Sequence, residues 1–143
     1  MLLLDTNVIS EAMHVNASPR VLAWLDDCPA GVLCASAYSV YEVHFGLSVM
    51  PTGKRQRLLR ESFETLMGGL VRNRVLPVDA TIARHAAHLA GVARRAGRPV
   101  GGDNDSGDLL IAATAAKHGA TLVTRNSRHF QDANVTLVNP WED

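Results

Sequence analysis

The sequence predicts an α/β fold built on a mostly parallel sheet. Three short apolar runs, at residues 2–4, 32–34 and 121–123, have the length and composition of strands buried on both faces. Longer segments with helical periodicity lie between them. Because parallel strands need crossover connections, which are usually helical and right-handed, this alternation indicates helices packed over the sheet. With 143 residues, the chain has the length of one domain, residues 1–143.

Caps and helix breakers set the boundaries of the individual elements. Ser18 followed by Pro19 is an N-cap with proline at the first helical position. Asp79 precedes a long periodic segment that Gly97 ends. We expect strands at 2–4, 32–34 and 121–123, a strand that runs into a turn over 74–79, and a last strand at 135–138. We expect helices at 6–13, from 19 to near 29, at 37–49, from 54 to Gly68, at 80–96 and at 108–118, and a helical turn at 127–130.

The composition excludes several classes of protein. Lys and Arg together number 14, as do Asp and Glu, so there is no overall positive charge to attract nucleic acid, and such binding must use local patches. No apolar run approaches the roughly 20 residues that cross a bilayer, and Asp5 interrupts the first run, which argues against a signal peptide. Cys28 and Cys34 lack metal or redox spacing and fit reduced core cysteines. We therefore expect a cytoplasmic protein without a membrane partner.

Three carboxylates lie at positions where a functional site could form, but each also has an ordinary structural explanation. Asp5 ends the first strand, at the edge where open α/β sheets bind ligands, although Asp is also a favoured N-cap. Glu42 lies on the helix at 37–49, opposite its apolar face, where a solvated glutamate is common. Asp108 begins the helix at 108–118, where the helix dipole favours an acid. Taken singly, each residue leaves both interpretations open.

The neighbours of Glu42 are compatible with a functional role, although a solvated outer glutamate is the commoner arrangement. The helical spacing predicts a core face of Val40, Val43, His44 and Leu47, with Ser39 and Gly46 beside Glu42 on the other side. Small neighbours leave room for a ligand to approach the carboxylate.

Together, the three carboxylates favour a metal site. A parallel sheet can bring all three positions to one edge. Carboxylates held close together repel one another, which raises their pKa values and lowers stability. A hard divalent cation such as Mg²⁺ or Mn²⁺ removes that repulsion and prefers oxygen ligands. Such an ion can activate water and stabilise the charge that develops on a phosphodiester.

Four motifs in order give the chain a resemblance to a known family. They are Asp5-Thr6-Asn7 after an apolar strand, Val40-Tyr41-Glu42 on a helix, the segment from Asp108 to Ala115, and Leu122-Val123-Thr124-Arg125-Asn126. In this combination the chain resembles PIN-domain ribonucleases of the VapC toxin type. Its Gly53-Lys54-Arg55 and Asn139-Pro140-Trp141 segments are similar to the FitB-like branch. The resemblance spans nearly the whole chain.

The resemblance implies a PIN-like three-layer α/β/α fold with a central five-stranded parallel sheet. It also implies a metal-dependent endoribonuclease that uses Mg²⁺ or Mn²⁺, serves as the toxin of a type II toxin–antitoxin pair, binds a cognate antitoxin and forms a homodimer. Asp5, Glu42 and Asp108 fall on the family's catalytic, metal-binding carboxylates. The neighbouring residues that would orient a ligand or the substrate are Thr6, Asn7 and Thr124.

The sequence departs from the family pattern in two places. Asn126 stands where many relatives carry a fourth aspartate, so we expect one tightly held ion, because a neutral amide supplies no charge for a second. His129 is either a surface histidine or a group that contacts phosphate or carries a proton. The loop at 98–107 is longer than in many relatives, and its Asp103 or Asp105 either replaces the missing charge or changes which RNA fits.

RNA binding requires positive charge near the acids. The candidates are Arg98, Arg125 and Arg128, together with Arg94, Arg95 and the basic helix at 54–60. Such contacts to phosphate depend on salt and carry no base specificity by themselves.

Two rival interpretations remain open. One is a catalytically weak PIN module that acts mainly in antitoxin binding and transcriptional autoregulation. The other is a haloacid-dehalogenase-like phosphatase, whose fold also begins with a strand that ends in Asp. Asn7 stands where that family carries its second aspartate, which argues against the phosphatase.

Overall fold

Five parallel strands form the central sheet of the computed structural model, which describes residues 1–97 and 105–142, with only the backbone at 105 and 106. They are β1 (Leu2–Leu4), β2 (Leu33–Ser36), β3 (Val75–Leu76), β4 (Thr121–Val123) and β5 (Leu137–Val138). Their order across the sheet is β3-β2-β1-β4-β5. The first strand is therefore central, with Leu3 opposite Cys34 on one side and Leu122 on the other. The predicted α/β class and five-stranded parallel sheet are confirmed.

Helices cover both faces of this sheet. They are α1 (Thr6–Met13), α2 (Pro19–Asp27), α3 (Ala37–Ser48), α4 (Lys54–Gly68), α5 (Ala80–Arg95), α6 (Asp105–His118) and a 3-10 helix (Ser127–Ala133). One face buries Leu4 and Val123 in a core shared with α1 to α4. The other buries Leu3 and Leu122 against α6 and the 3-10 helix, and α5 packs on α6. Because successive strand residues point to opposite faces, both cores are filled from the same short strands. The three-layer α/β/α arrangement is confirmed.

The junction between β1 and α1 places Asp5 at the carboxyl edge of the sheet. Helix α1 begins at the residue after Asp5, whose Oδ1 accepts a hydrogen bond from the Thr6 N–H at 2.7 Å. Asp5 is therefore the N-cap of α1, and capping occupies one carboxylate oxygen. The second oxygen remains available for other contacts at this edge.

Helix α6 begins earlier than predicted. It starts at Asp105, so Asp108 lies about one turn inside the helix rather than at its first residue. The turn-forming composition of 98–107 predicted a loop, but Asp and Ser are also common where a helix begins. The remainder of that predicted loop, including Arg98 and Asp103, lies outside the described residues, as does the side chain of Asp105.

The last elements also differ from the predicted boundaries. The predicted strand at 135–138 pairs only as Leu137–Val138, and the helical turn extends to Ala133. Asn134 adopts a left-handed backbone with φ of 55°, which ends the 3-10 helix, and the chain first pairs with β4 where Leu137 meets Leu122. Within the described parts of the chain, no helix is both long and apolar enough to cross a bilayer.

The buried face of α3 differs from the predicted one. Val43 is buried as expected, but His44 is exposed and Ser39 is fully buried. His44 packs edge-on against Phe63, with ring centroids 5.3 Å apart, and so lies beside the core without entering it. Ser39 enters because its hydroxyl hydrogen-bonds Thr6, which removes the cost of burying an unpaired polar group. The prediction that Ser39 faces away from the core was wrong.

Candidate active site

A pocket of about 430 Å³ opens at the carboxyl edge of the sheet and contains all three predicted carboxylates. Asp5 enters it from the end of β1, Glu42 from α3 and Asp108 from α6. Other lining residues are Thr6, Asn7, Ser10, Glu11, His14 and Asn126. We call this site the acidic pocket. The sheet therefore brings together side chains that are more than a hundred residues apart in the chain.

Asp5 is the buried centre of the acidic pocket. Its side chain is almost inaccessible, and its Oδ2 accepts a hydrogen bond from Thr124 Oγ1 at 2.8 Å. The pKa of Asp5 is raised from 3.8 to about 6, chiefly by burial and secondarily by the negative charges of Asp108 and Glu42, which together outweigh the lowering effect of the hydrogen bond from Thr124. A cation beside Asp5 would stabilise the ionised form of this buried carboxylate.

Thr124 connects the floor of the acidic pocket to the turn that follows β4. Its Oγ1 accepts a hydrogen bond from the Asn126 N–H at 3.0 Å and lies 3.5 Å from Asn7 Nδ2. Asn7 Oδ1 in turn accepts from the Arg125 N–H at 3.3 Å. These contacts fix the end of β1 against the end of β4, so that Asp5 and Asn126 hold one relative position.

Glu42 is oriented by two hydroxyl groups rather than by solvent. Thr6 Oγ1 donates to Glu42 Oε1 at 2.7 Å, and Ser39 Oγ lies 2.9 Å from the same Thr6 oxygen. Because a threonine hydroxyl has one hydrogen, Ser39 must be the donor to Thr6. Glu42 is therefore half-buried and hydrogen-bonded, which limits its exposure to solvent. Sequence reasoning missed the part that Ser39 plays in these hydrogen bonds. The only signal in the sequence was a small residue three positions before Glu42.

Tyr38 is a second residue that sequence reasoning missed. A Cβ atom at Gly107 would lie 2.5 Å from the Tyr38 ring, so the ring packs directly on the backbone next to Asp108. Burial raises the pKa of Tyr38, and the charges of Glu42 and Asp108 raise it further. Its hydroxyl thus lies within the electrostatic reach of the acidic pocket. Nothing in the sequence pattern identifies this contact.

The donors of the acidic pocket fit a hard divalent cation. They are carboxylate oxygens, and a cation would offset both the burial of the Asp5 charge and the smaller repulsion from Asp108 and Glu42 that raise the pKa of Asp5. Among the residues that the structure describes, however, no three His, Cys, Asp or Glu side chains already form a metal-binding group. Glu42 is directed at Thr6 and Asp5 at Thr124. Ligation of one ion by all three acids therefore requires side-chain movement.

A second pocket of about 440 Å³ adjoins the acidic pocket and carries positive charge. Its lining comprises Arg125, Asn126, Ser127, Arg128, His129, Asn139 and Glu142. We call it the basic pocket. Asn126 lines both pockets, and His129 Nδ1 lies 3.4 Å from Asp108 Oδ2. Of the predicted RNA-binding arginines, Arg125 and Arg128 therefore lie beside the acids, and Arg98 lies outside the described residues.

The chain matches a protein-family model over most of its length. Residues 2–135 match the model described as PIN domain. The chain belongs to the PIN domain family. The matched segment contains the three carboxylates and Asn126, whereas the closing Asn139-Pro140-Trp141 motif lies beyond it.

Similar proteins of the PIN domain family extend over essentially the whole chain. The chain is 39% identical to VapC ribonuclease Y4jK of Sinorhizobium fredii, covering 99% of each sequence. It is 36% identical to Toxin FitB of Neisseria gonorrhoeae, covering all of both. Among solved structures, it is similar to the structure of FitAB bound to an IR36 DNA fragment. That match has a TM-score of 0.85 and 36% identity, and covers 99% of this chain and 96% of the other.

Proposed function

We propose that this PIN domain protein is a metal-dependent endoribonuclease that acts as the toxin of a toxin–antitoxin pair. The observation that carries the proposal is the acidic pocket, in which Asp5 is buried beside two further carboxylates and its pKa is raised to about 6. Burying a carboxylate beside two others lowers the stability of the fold, and strongly shifted pKa values of this kind are common at catalytic sites. The similarity to proteins named VapC ribonuclease and Toxin FitB supports the choice of RNA and of a toxin's role.

The residues of the acidic pocket would hold one Mg²⁺ or Mn²⁺ ion. Asp5, Glu42 and Asp108 would be its ligands, and the ion, when bound, supplies positive charge that stabilises a phosphodiester during hydrolysis. Thr124 and Thr6 hold Asp5 and Glu42 through their hydroxyl hydrogens, which fixes the carboxylates as acceptors. Asn126 adds an amide at the rim but no charge. Three negative charges are better suited to holding one divalent ion tightly than to holding two such ions.

The test is cleavage of a mixed tRNA and rRNA pool by purified protein freed of any partner. Reactions contain Mg²⁺, Mn²⁺ or EDTA, with Asp5→Asn as the control for contaminating nuclease. The proposal predicts discrete fragments that require metal and disappear in the variant. Intact RNA in every reaction, from protein shown to be folded, would refute the nuclease assignment for these substrates.

A second candidate is a catalytically weak PIN module that acts mainly through its partner. It is favoured by the amide at Asn126, which supplies no charge to a bound ion. The same experiment separates the two functions. The weak module predicts no metal-dependent cleavage by folded protein.

We propose that the antitoxin binds in the groove between α1 and α4. This groove has a volume of about 910 Å³ and presents Met13, Leu58 and Leu59, with Lys54 and Arg55 along its side. Two of its lining residues, Glu11 and His14, also line the acidic pocket, so a segment seated here would reach the active site. An amphipathic segment with acidic side chains suits such a surface. Replacement of the half-exposed Leu58 by Asp should abolish co-purification with the partner.

We further propose that two copies of the chain associate through α3. The outer surface of α3 exposes Tyr41 and Phe45, and its C-cap exposes Val49; these residues are 61%, 57% and 67% accessible. Tyr41 and Phe45 stack with ring centroids 6.1 Å apart and form a continuous apolar surface. Contiguous exposed apolar residues are typical of association sites. Light scattering of Phe45→Lys should report a monomer where the parent protein is a dimer.

A further inference from the structure

The closing motif Asn139-Pro140-Trp141 has no part in the function proposed above. Asn139 and Pro140 are buried, and Trp141 packs partly against the core. The Trp141 ring lies 5.1 Å from the Arg125 guanidinium carbon, a cation–π contact. The motif therefore contacts the turn after β4, which supplies Asn126 to the acidic pocket.

Asn139 joins the two partners of this contact through one side chain. Its Nδ2 donates to the Arg125 carbonyl oxygen at 3.4 Å, and its Oδ1 accepts from the Trp141 N–H at 3.0 Å. Both the backbone and the guanidinium of Arg125 are thus fixed by the motif. The N–H donors of a guanidinium lie in its plane and form a rigid fork. Arg125 is exposed, so those donors are accessible to a ligand.

The basic pocket lies where it could bind part of an anionic ligand that extends out of the acidic pocket. Arg125 and Arg128 contribute two positive charges, against one negative charge from Glu142. The two pockets meet at Asn126 and at the contact between His129 and Asp108. Because the whole chain has equal numbers of acidic and basic residues, this local positive charge is not part of a general field.

We propose that the basic pocket binds an RNA phosphate that flanks the phosphate being cleaved, and that the Asn139–Trp141 motif fixes Arg125 for that contact. The inference rests on the proposed function, because a strand that passes through the acidic pocket is what brings a second phosphate to Arg125. A guanidinium suits this role, since its planar donors bind phosphate oxygens in pairs. Arg125 is the phosphate ligand, and Asn139 and Trp141 are positioning residues.

The test is RNA binding measured without cleavage. Fluorescence anisotropy of a labelled single-stranded RNA of about 12 nucleotides is followed over a salt series in Mg²⁺, in an Asp5→Asn background. Arg125→Ala should weaken binding about five-fold or more and reduce the slope of log K against log salt by about 0.7, the value for one phosphate contact on a single strand. Arg84→Ala, which removes an exposed arginine from α5, is the charge-matched control and should leave the slope unchanged.

The motif itself is tested by variants of Trp141, which remove no charge. Trp141→Ala should weaken binding, and adding it to Arg125→Ala should cause no further loss, because the two act on one contact. Trp141→Phe keeps a ring beneath the guanidinium and should restore most of the binding, which also guards against a folding defect. Glu142→Gln should tighten binding, because it removes the pocket's carboxylate.

The outcomes separate this inference from the proposed function. If RNA binds but Arg125→Ala behaves like Arg84→Ala, the flanking-phosphate site is wrong and the nuclease proposal stands. Weaker RNA binding by Glu142→Gln would also overturn the flanking-phosphate site, since a bound phosphate is repelled by a carboxylate. If the Asp5→Asn protein that carries no other substitution binds no RNA at any salt concentration, both proposals fail.

Discussion

The burial of Asp5 leads to a quantitative prediction for the metal-free protein. Its pKa is raised from 3.8 to about 6 in the folded state. Since the folded protein holds this proton more tightly than the unfolded chain, ionisation destabilises the fold. The cost is absent well below the unfolded pKa and complete above the folded pKa. At about 1.4 kcal/mol per pKa unit, the full cost at neutral pH is about 3 kcal/mol.

Asp5→Asn removes this electrostatic cost and loses one hydrogen bond. Thr124 donates to Asp5 Oδ2, and an amide nitrogen in that place cannot accept, which costs about 1 kcal/mol. In EDTA near pH 7.5 the variant should therefore be about 2 kcal/mol more stable than the parent. Near pH 4.5, where folded Asp5 is already protonated, the advantage should shrink to about zero. The difference between the two pH values isolates the titration, because the hydrogen-bond loss is common to both.

Urea denaturation followed by circular dichroism measures both free energies of unfolding. Asp79→Asn is a useful control, because Asp79 also caps a helix but is exposed, and its pKa is lowered by the hydrogen bond from Lys117. That variant should lower stability at neutral pH, with the deficit fading as the pH falls. Adding Mg²⁺ near pH 7.5 should stabilise the parent more than Asp5→Asn. If Asp5→Asn is less stable than the parent at neutral pH, or equally shifted at both pH values, the account of Asp5 is wrong.

Three further predictions concern the supports of the site. Thr124→Val keeps the shape of a fully buried side chain but removes the donor to Asp5, so Mn²⁺ affinity measured by calorimetry should fall about ten-fold or more. Unchanged affinity would exclude Thr124 as an orienting residue. Gly107→Ala should destabilise the protein by about 1–3 kcal/mol because of its clash with Tyr38, and a second change, Tyr38→Ala, should recover part of that loss in thermal melts. Leu122→Ala should cost about 2–5 kcal/mol in urea denaturation, since it empties a fully buried position of β4; a smaller loss would mean that the sheet relaxes around the cavity.

The fold was largely predictable because its signals are local. Apolar runs, the Ser18 cap and the Asp79 cap each occupy a few consecutive residues, and both caps accept the expected backbone hydrogen bonds. The start of α6 was not predictable in the same way, because Asp105 and Ser106 suit a loop and a helix beginning equally well.

The site was predictable only as far as its residues could be recognised one by one. Asp5, Glu42 and Asp108 were identified from position and resemblance, and the structure brings them to one pocket. The contributions of Ser39 and Tyr38 depend on contacts with residues far away in the sequence, Thr6 and Gly107, which no local pattern encodes. Burial of a hydroxyl such as that of Ser39 is acceptable only once its distant partner is in place.

The position of β1 at the centre of the sheet has a consequence for the time at which activity can appear. Leu2 pairs with Leu33 on one side and with Thr121 on the other, so one neighbour of the first strand is synthesised long after it. Until β4 arrives, Asp5 lacks the Thr124 hydroxyl and the pocket lacks Asn126. Pairing between segments so distant in the chain is a late event in folding. The acidic pocket is therefore incomplete until residues 121–126 have been synthesised and paired, so the nuclease activity proposed above would not be expected of a nascent chain that still lacks them.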